Sequence, residues 1–285
     1  MGFLEWIKVI FLGIVEGITE WLPISSTGHL ILVDEFIKLD VSTKFFDVFL
    51  VAIQLGAVIA VVVLFWHKIW PFQNKRQEEG LVERYVKVDK IVLWLKILVS
   101  CVPAIIIGIP FNDAIEKYLN NYIVVALMLI LYGILFILIE NRNKRKRPRI
   151  RRLEDISFQL ALLIGVFQVL AVVPGTSRSG ATIIGAILLG TSRTVAAEYT
   201  FFLAIPAMFG ATLLKFIKYG AAFTGLEIGI LFVGMVVAFV VSIVSIKFLM
   251  GYIKKHDFKV FGWYRIVLGI IVLLYFFIKS VALGA

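Results

Sequence analysis

Six long apolar stretches constrain this chain more than any other feature of its sequence. Each is about 20 residues long, the length that a helix needs to cross about 30 Å of hydrocarbon. The 285 residues are 61% hydrophobic and only 17% charged, so this apolar surface is too large for one water-soluble core. The sequence therefore predicts an all-α integral membrane protein and excludes a soluble enzyme or a nucleic-acid binder. The predicted transmembrane helices lie near 45–66, 91–110, 121–140, 198–217, 227–249 and 262–282.

Two further apolar regions, 3–39 and 157–190, are broken near their middles by residues that stop helices. Irregular backbone at membrane depth is tolerated only where protein surrounds it or where it lines a cavity. We therefore expect two re-entrant helix pairs, and we call their turns the first and the second tip. The first tip is Trp21-Leu22-Pro23-Ile24-Ser25-Ser26-Thr27-Gly28-His29, and the second is Pro174-Gly175-Thr176-Ser177-Arg178-Ser179-Gly180.

Basic residues predict which side of the membrane each connection faces. The connections 68–90, 141–152 and 247–265 hold 19 of the 29 Lys and Arg residues, which favours the cytoplasmic side for all three. Both chain termini then lie outside, and the net charge of +10 is explained by orientation. Arg265, at the end of the third connection, is counted among these orienting charges. An anionic-lipid or nucleic-acid patch at 141–152 is the weaker alternative.

The two halves of the chain resemble each other at an offset of 152 residues. Gly13-Ile14-Val15-Glu16 matches Gly165-Val166-Phe167-Gln168, and Ala52-Ile53 matches Ala204-Ile205. Pro23 and Pro174 nearly align, and each has a serine three residues later, Ser26 and Ser177. An odd number of crossings in each half inverts the second half, as in many transporters. We predict repeat 1 over 1–140, a basic cytoplasmic connector over 141–156 and repeat 2 over 157–285, with both tips meeting inside the bilayer.

Two carboxylates in the first apolar region are the first candidates for chemistry. Glu16 and Glu20 are four residues apart and share one face of a helix. Ionisable residues at membrane depth are costly and by default functional. The pair suits a divalent cation, Mg²⁺ or Ca²⁺, and either carboxylate could instead act as a general base. The alternative is that both face water near the end of the first arm.

The first tip adds hydroxyl groups and a histidine to these carboxylates. A hydroxyl just before a helix is an ordinary N-cap, which accounts for one of Ser25, Ser26 and Thr27. A serine within reach of His29 could also form a nucleophile–base pair. The alternative nucleophile is a water molecule activated by a carboxylate or by His29.

The second tip has the composition of an anion site. Its glycines let the backbone approach a ligand, and free N–H groups at the start of a helix favour phosphate. Arg178 can donate to phosphate oxygens through two N–H groups, although its partner could instead be Glu16 or Glu20. Together these groups indicate a phosphatase or a carrier of a lipid phosphate. The residues expected to bind the anion are Arg178, Ser177, Ser179, Thr182, Ser25 and Thr27.

Both motifs resemble those of a known family. The segments Glu16–Leu30 and Pro174–Thr182 are similar to the two signature motifs of the bacterial undecaprenyl-diphosphate phosphatases, the bacitracin-resistance proteins. Trp21 stands where that family's motif has Phe, which keeps an aromatic ring. The resemblance implies hydrolysis of undecaprenyl diphosphate to undecaprenyl phosphate and inorganic phosphate. This reaction recycles the lipid carrier for peptidoglycan synthesis.

The resemblance also implies roles for individual residues. Glu16 and Glu20 would belong to a metal-dependent acidic motif, Ser26 would be the nucleophile and His29 a base or acid. Arg178, with Ser177 and Thr182, would hold the diphosphate. The type-2 phosphatidic-acid phosphatases are excluded because their pattern needs a histidine soon after Arg178, and the next one is His256.

The expected setting is the bacterial plasma membrane, with membrane lipids as surroundings and no nucleic-acid partner. The site is expected to open outward, because the tip that bears the carboxylates enters from outside. A homodimer is a further expectation. The competing function is a transporter that flips a polyprenyl phosphate, which the inverted repeat would suit.

Overall fold

The computed structural model describes residues 2–73, 84–144, 146–220 and 223–283. Lys75, Arg76 and Arg145 of the predicted cytoplasmic connections lie outside these residues. Short helical turns occur at Trp66–Ile69, Leu153–Asp155 and Leu170–Val172. The ten longer helices of the described ranges, numbered α1 to α10, are Phe3–Thr19, Ser26–Phe36, Thr43–Leu64, Val88–Leu119, Tyr122–Asn143, Phe158–Val169, Arg178–Leu188, Arg193–Tyr219, Gly225–Ile253 and Lys259–Leu283.

Six of these helices are long and apolar enough to cross a membrane, which confirms the predicted all-α multi-pass fold. They are α3, α4, α5, α8, α9 and α10. Several begin before the predicted apolar stretches because polar N-caps extend them. The Ser42 hydroxyl accepts from the N–H of Phe45 at the start of α3, and the Ser192 hydroxyl does the same for Val195 at the start of α8.

Both broken regions consist of two short helices joined by a tight turn, and the two turns have the same backbone. Ser25 has φ = 73° and Ser177 has φ = 71°, a region that residues other than glycine rarely adopt. Each hydroxyl accepts from the N–H three residues later, Gly28 at 3.3 Å and Gly180 at 3.1 Å. The predicted pairing of Ser26 with Ser177 was wrong, because this backbone conformation equates Ser25 with Ser177 at the full offset of 152.

The packing of helices also repeats between the halves when α1–α5 are matched with α6–α10. Helix α1 packs on α9 as α6 packs on α4, and α3 packs extensively on α9, whereas its counterpart α8 makes a much smaller contact with α4. The remaining large contacts, α3 with α8 and α5 with α10, join equivalent helices. This is the contact pattern of an approximate two-fold repeat. The inversion of that repeat in the membrane, and its boundaries at 140 and 157, stay predictions.

Glycines allow the equivalent helices α5 and α10 to touch backbone to backbone. A Cβ added at Gly133 would lie 2.6 Å from the carbonyl oxygen of Gly262, and one added at Gly262 would lie 2.7 Å from that of Gly133. Such small residues are the usual means of close helix contact in membranes. The reciprocal contact therefore brings the last helices of the two halves together.

Candidate active site

The two tips meet at Glu20, the residue immediately before the first tip. Arg178 Nη2 donates to Glu20 Oε1 at 3.0 Å, and Ser26 Oγ donates to Glu20 Oε2 at 3.1 Å. Ser179 Oγ donates to the backbone carbonyl of Glu20 at 3.2 Å. The side chains of Glu20 and Arg178 are only 7% and 13% exposed. One buried carboxylate therefore joins a hydroxyl of the first tip to the cation of the second, so the tips meet as predicted, while their depth in the bilayer stays a prediction.

Glu16 lies one helical turn before Glu20 and is fully buried. Neither of its carboxylate oxygens has a hydrogen-bond partner among the described residues. The alternative that these carboxylates face water is therefore wrong, because Glu16 is 0% and Glu20 6% exposed. A buried carboxylate with no partner is costly unless it binds a proton or a cation.

Arg178 is held in place by the helix that follows its own. Its Nη1 donates to the carbonyl oxygen of Thr200 at 2.9 Å, while Nε has no partner among the described residues. The Thr182 hydroxyl donates back to the Arg178 carbonyl at 2.8 Å and accepts from the Thr200 hydroxyl at 2.9 Å. Thr182 thus supports the helix that carries Arg178, and its donor is already committed to protein.

The other hydroxyl groups of the tips include two helix caps, the exposed Thr27 and the buried Thr176. Ser25 and Ser177 cap their helices, and Ser177 Oγ also lies 3.1 Å from Ser179 Oγ. Thr27 is exposed. Ser26 is therefore the hydroxyl of the first tip that lies against a carboxylate.

His29 makes different contacts from those expected of a base for Ser26. Its Nδ1 lies 2.7 Å from the carbonyl oxygen of Ser25, so Nδ1 carries the proton, and Nε2 lies 2.7 Å from the Tyr264 hydroxyl. The rings of His29 and Tyr264 also stack, with centroids 5.5 Å apart. The expected Ser26–His29 pair is therefore not formed, because both ring nitrogens face other groups and Ser26 turns towards Glu20.

Arg265 lies in the site, and its predicted role as an orienting cytoplasmic charge was wrong. It is fully buried and donates to both tips, from Nη1 to the Pro23 carbonyl at 3.3 Å and from Nη2 to the Gly175 and Thr176 carbonyls at 2.9 Å each. Its guanidinium also lies 5.5 Å from the centre of the Tyr132 ring. It therefore ties the tips together rather than orienting the chain from the cytoplasm. The only sequence signal would have been an arginine inside the apolar pattern of α10.

A divalent cation would find few ligands here beyond the two carboxylates. No group of three His, Cys, Asp or Glu side chains that could hold a metal occurs among the described residues. Mg²⁺, however, often binds through one or two carboxylates, with water and substrate phosphate completing its shell. The free oxygens of Glu16 fit that donor set, whereas each oxygen of Glu20 already accepts one hydrogen bond.

Comparison with known proteins gives consistent matches over nearly the whole chain. Residues 9–271 match the family model described as bacitracin resistance protein BacA. A protein of Lachnoclostridium phytofermentans named undecaprenyl-diphosphatase is 62% identical over 97% of this chain and 98% of its own length. Two proteins of the same name, from Desulfitobacterium hafniense and Enterococcus faecalis, are each 60% identical. They cover 99% and 96% of this chain, and 99% and 98% of their own lengths.

Proposed function

This chain belongs to the family of the bacitracin resistance protein BacA, and we infer that it hydrolyses undecaprenyl diphosphate. The products are undecaprenyl phosphate and inorganic phosphate, so the enzyme is a hydrolase that acts on a phosphoric anhydride. Undecaprenyl phosphate is the lipid carrier that peptidoglycan synthesis uses again. Bacitracin resistance is the property from which the family takes its name.

The observation that carries the chemical proposal is the pair of hydrogen bonds that Glu20 accepts. Its Oε2 accepts from Ser26 and its Oε1 from Arg178, so the proposed nucleophile and the cation both lie within hydrogen-bond distance of the proposed base. Phosphoryl transfer depends on this kind of positioning and on charge neutralisation. We propose that Ser26 is the nucleophile, Glu20 its base and Arg178 the residue that holds the diphosphate.

In the first step, Ser26 Oγ forms a bond to the terminal phosphorus while the bond from that phosphorus to the bridging oxygen breaks. Undecaprenyl phosphate leaves with the bridging oxygen, and Glu20 takes the proton of Ser26. A water molecule then attacks the phosphorus of the phosphoserine, and the bond from that phosphorus to Ser26 Oγ breaks. Glu20 returns its proton to Ser26 Oγ, the attacking water loses one proton to solvent, and inorganic phosphate leaves. The Arg178 guanidinium stabilises the negative charge on the transferred phosphoryl oxygens in both steps.

Glu16 and Glu20 would hold a divalent cation, with Glu16 contributing the freer oxygens. When bound, such a cation neutralises charge on the diphosphate. The role left for His29 is positioning, because its ring fixes Tyr264 against the first tip.

The proposed orientation follows from the basic connections. With 68–90, 141–152 and the basic residues of 247–259 on the cytoplasmic side, and Arg265 left out because it is buried between the tips, both termini lie outside and the first helix pair enters from outside. We propose that the site opens to the outer face of the plasma membrane. Cysteines introduced next to Ser26 should then react in intact cells with a reagent that cannot cross the membrane, and complete protection would contradict this orientation.

The two-fold contact pattern favours a second candidate, a carrier that moves a polyprenyl phosphate across the membrane. A carrier needs the anion site but no nucleophile. The discriminating change is Ser26→Ala, assayed by phosphate release from undecaprenyl diphosphate and by lipid movement in proteoliposomes.

A hydrolase that attacks through Ser26 should lose about 10³-fold or more of its phosphate release in Ser26→Ala. The matched control is Ser42→Ala, which removes an N-cap hydroxyl outside the site and should keep the wild-type rate. Acid-quenched wild-type enzyme should also carry phosphate on Ser26. Full phosphate release by Ser26→Ala would mean that an activated water, and not Ser26, is the nucleophile. Lipid movement by the wild type without any hydrolysis would favour the carrier.

A further inference from the structure

A cavity of about 500 Å³ lies at the end of the molecule that bears the 141–152 connection, away from both tips. It is bounded by the ends of α5, α7 and α9 and by the first turn of α8. Five basic side chains line it and have no carboxylate of the described residues within 4 Å. These are Arg142, Lys146, Arg147, Arg149 and Lys254.

The wall of this cavity is fixed by backbone hydrogen bonds. The N–H groups of Arg149 and Ile150 donate to the Gly190 carbonyl at 2.9 and 3.1 Å, and the Ser192 N–H donates to the Ile150 carbonyl at 2.8 Å. The basic connection is therefore attached to the turn between α7 and α8. A charged loop that only oriented the chain would not need this attachment.

The one acidic side chain in the lining cannot neutralise the five basic ones. Glu140 is buried and accepts from Arg193 Nε at 2.9 Å and from the Phe258 N–H at 3.1 Å. Its charge is thus balanced within the wall. The five remaining cations share one concave space, and an anion would relieve their mutual repulsion.

Two further features suit an anion with several acceptor oxygens. Arg193 and Thr194 of the first turn of α8 line the cavity, and the first N–H groups of a helix have no acceptor within that helix. Thr191, 4% exposed, lines it too, and its hydroxyl has no partner among the described residues. The volume lies within the range of small-molecule sites.

We propose that this cavity, which we call the basic pocket, is a second phosphate-binding site, distinct from the site at the tips. Its ligand is a phosphate group with at least two charges or several free oxygens, carried by an anionic lipid or free in solution. Helix α7 connects the two sites, since it begins at Arg178 and ends at Leu188 in the pocket wall. Its 11 residues place them about 16 Å apart along the helix axis.

The test uses full-length protein, delipidated in neutral detergent and titrated with phosphatidic acid, phosphatidylcholine or inorganic phosphate. Lipid adducts are counted by native mass spectrometry, and phosphate binding is followed by the thermal unfolding midpoint. The pocket variant is Arg147→Gln with Arg149→Gln. The matched control is Arg151→Gln with Arg152→Gln, which removes the same charge from the same connection but outside the lining.

If the ligand is a lipid headgroup, wild type and control should bind one phosphatidic acid about tenfold more tightly than the pocket variant does. Phosphatidylcholine should not compete. If the ligand is free phosphate, the pocket variant should instead lose part of the phosphate-induced thermal stabilisation with no change in lipid adducts. Arg178→Ala should keep either effect.

Equal losses in the pocket variant and its control would overturn the proposal, because they would reflect general charge attraction. Binding that disappears in Arg178→Ala and survives in the pocket variant would overturn it as well, since the anion would then sit at the tips. Neither measurement depends on hydrolysis, so the pocket and the proposed enzymatic activity can fail independently.

Discussion

The two tips share one backbone but carry opposite chemistry. Ser25 and Ser177 have nearly the same positive φ and cap the following helix in the same way. At the next position, however, the first tip has Ser26 and the second has Arg178. A repeated frame therefore presents a hydroxyl, the proposed nucleophile, on one side and a cation on the other, and both donate to Glu20.

The same asymmetry extends to the helices that lead into the tips. Glu16 of α1 corresponds to Gln168 of α6 at the offset of 152. Both are buried, and Glu16 Oε1 and Oε2, like Gln168 Oε1, lack partners among the described residues. The fold supplies two equivalent buried polar positions, and only one of them holds an ionisable side chain. The two halves therefore share a backbone frame, and the chemical difference between the tips comes from the side chains at equivalent positions.

The largest effect is expected from neutralising Glu20, the group that both tips contact. Glu20→Gln keeps the shape of the side chain but removes the base for Ser26 and the counter-charge of Arg178. We expect phosphate release to fall about 10³-fold. The control is Glu227→Gln, which neutralises a carboxylate in the capping box at the start of α9. Glu20→Gln activity within tenfold of wild type would contradict the central role of Glu20.

A second change removes the connection between the tips without touching their charges. Arg265→Met leaves the carbonyl groups of Pro23, Gly175 and Thr176 without their shared donor. Unpaired buried acceptors cost about 1–3 kcal/mol each, so we expect stability to fall by about 3 kcal/mol or more. The unfolding midpoint of detergent-purified protein should drop by roughly 5–10 °C. Arg151→Met, at an exposed position, should leave the midpoint unchanged. An equal drop in Arg151→Met would contradict the claim that Arg265 stabilises the protein through its bonds to the tips.

The smallest effect is expected from a substitution that gives helices α1 and α6 the same buried side chain. Glu16→Gln gives α1 the same buried amide that α6 has, so a cation should lose its freer ligand. We expect the Mg²⁺ concentration for half-maximal activity to rise about tenfold or more. Gln168→Leu, the equivalent change of a buried polar group in the other arm, should leave that concentration unaltered. An unchanged Mg²⁺ requirement in Glu16→Gln would mean that Glu16 is not a ligand of the cation.

Hydropathy and helix-breaking residues were enough to predict the six spanning helices and both tips. Contacts that depend on turns or on distant helices were not predictable. The positive φ of Ser25 has no sequence signature, so the serines were paired one residue out of step. Arg265 was misassigned because it follows a basic connection closely, and only the packing of α10 carries it between the tips. The contact of His29 with Tyr264 was not predictable either, because the two residues are 235 positions apart in the sequence.

The reciprocal contact of Gly133 and Gly262 has a consequence for how this sequence can vary over generations. Each glycine limits its partner, because a side chain on either one would overlap the backbone of the other. A substitution at one position would thus be selected against whichever residue occupied the other, and both halves of the gene share that constraint. Because the overlap is with a backbone atom, no substitution at the other position can relieve it, so each of these two sites, nearly half the chain apart, is held to glycine on its own.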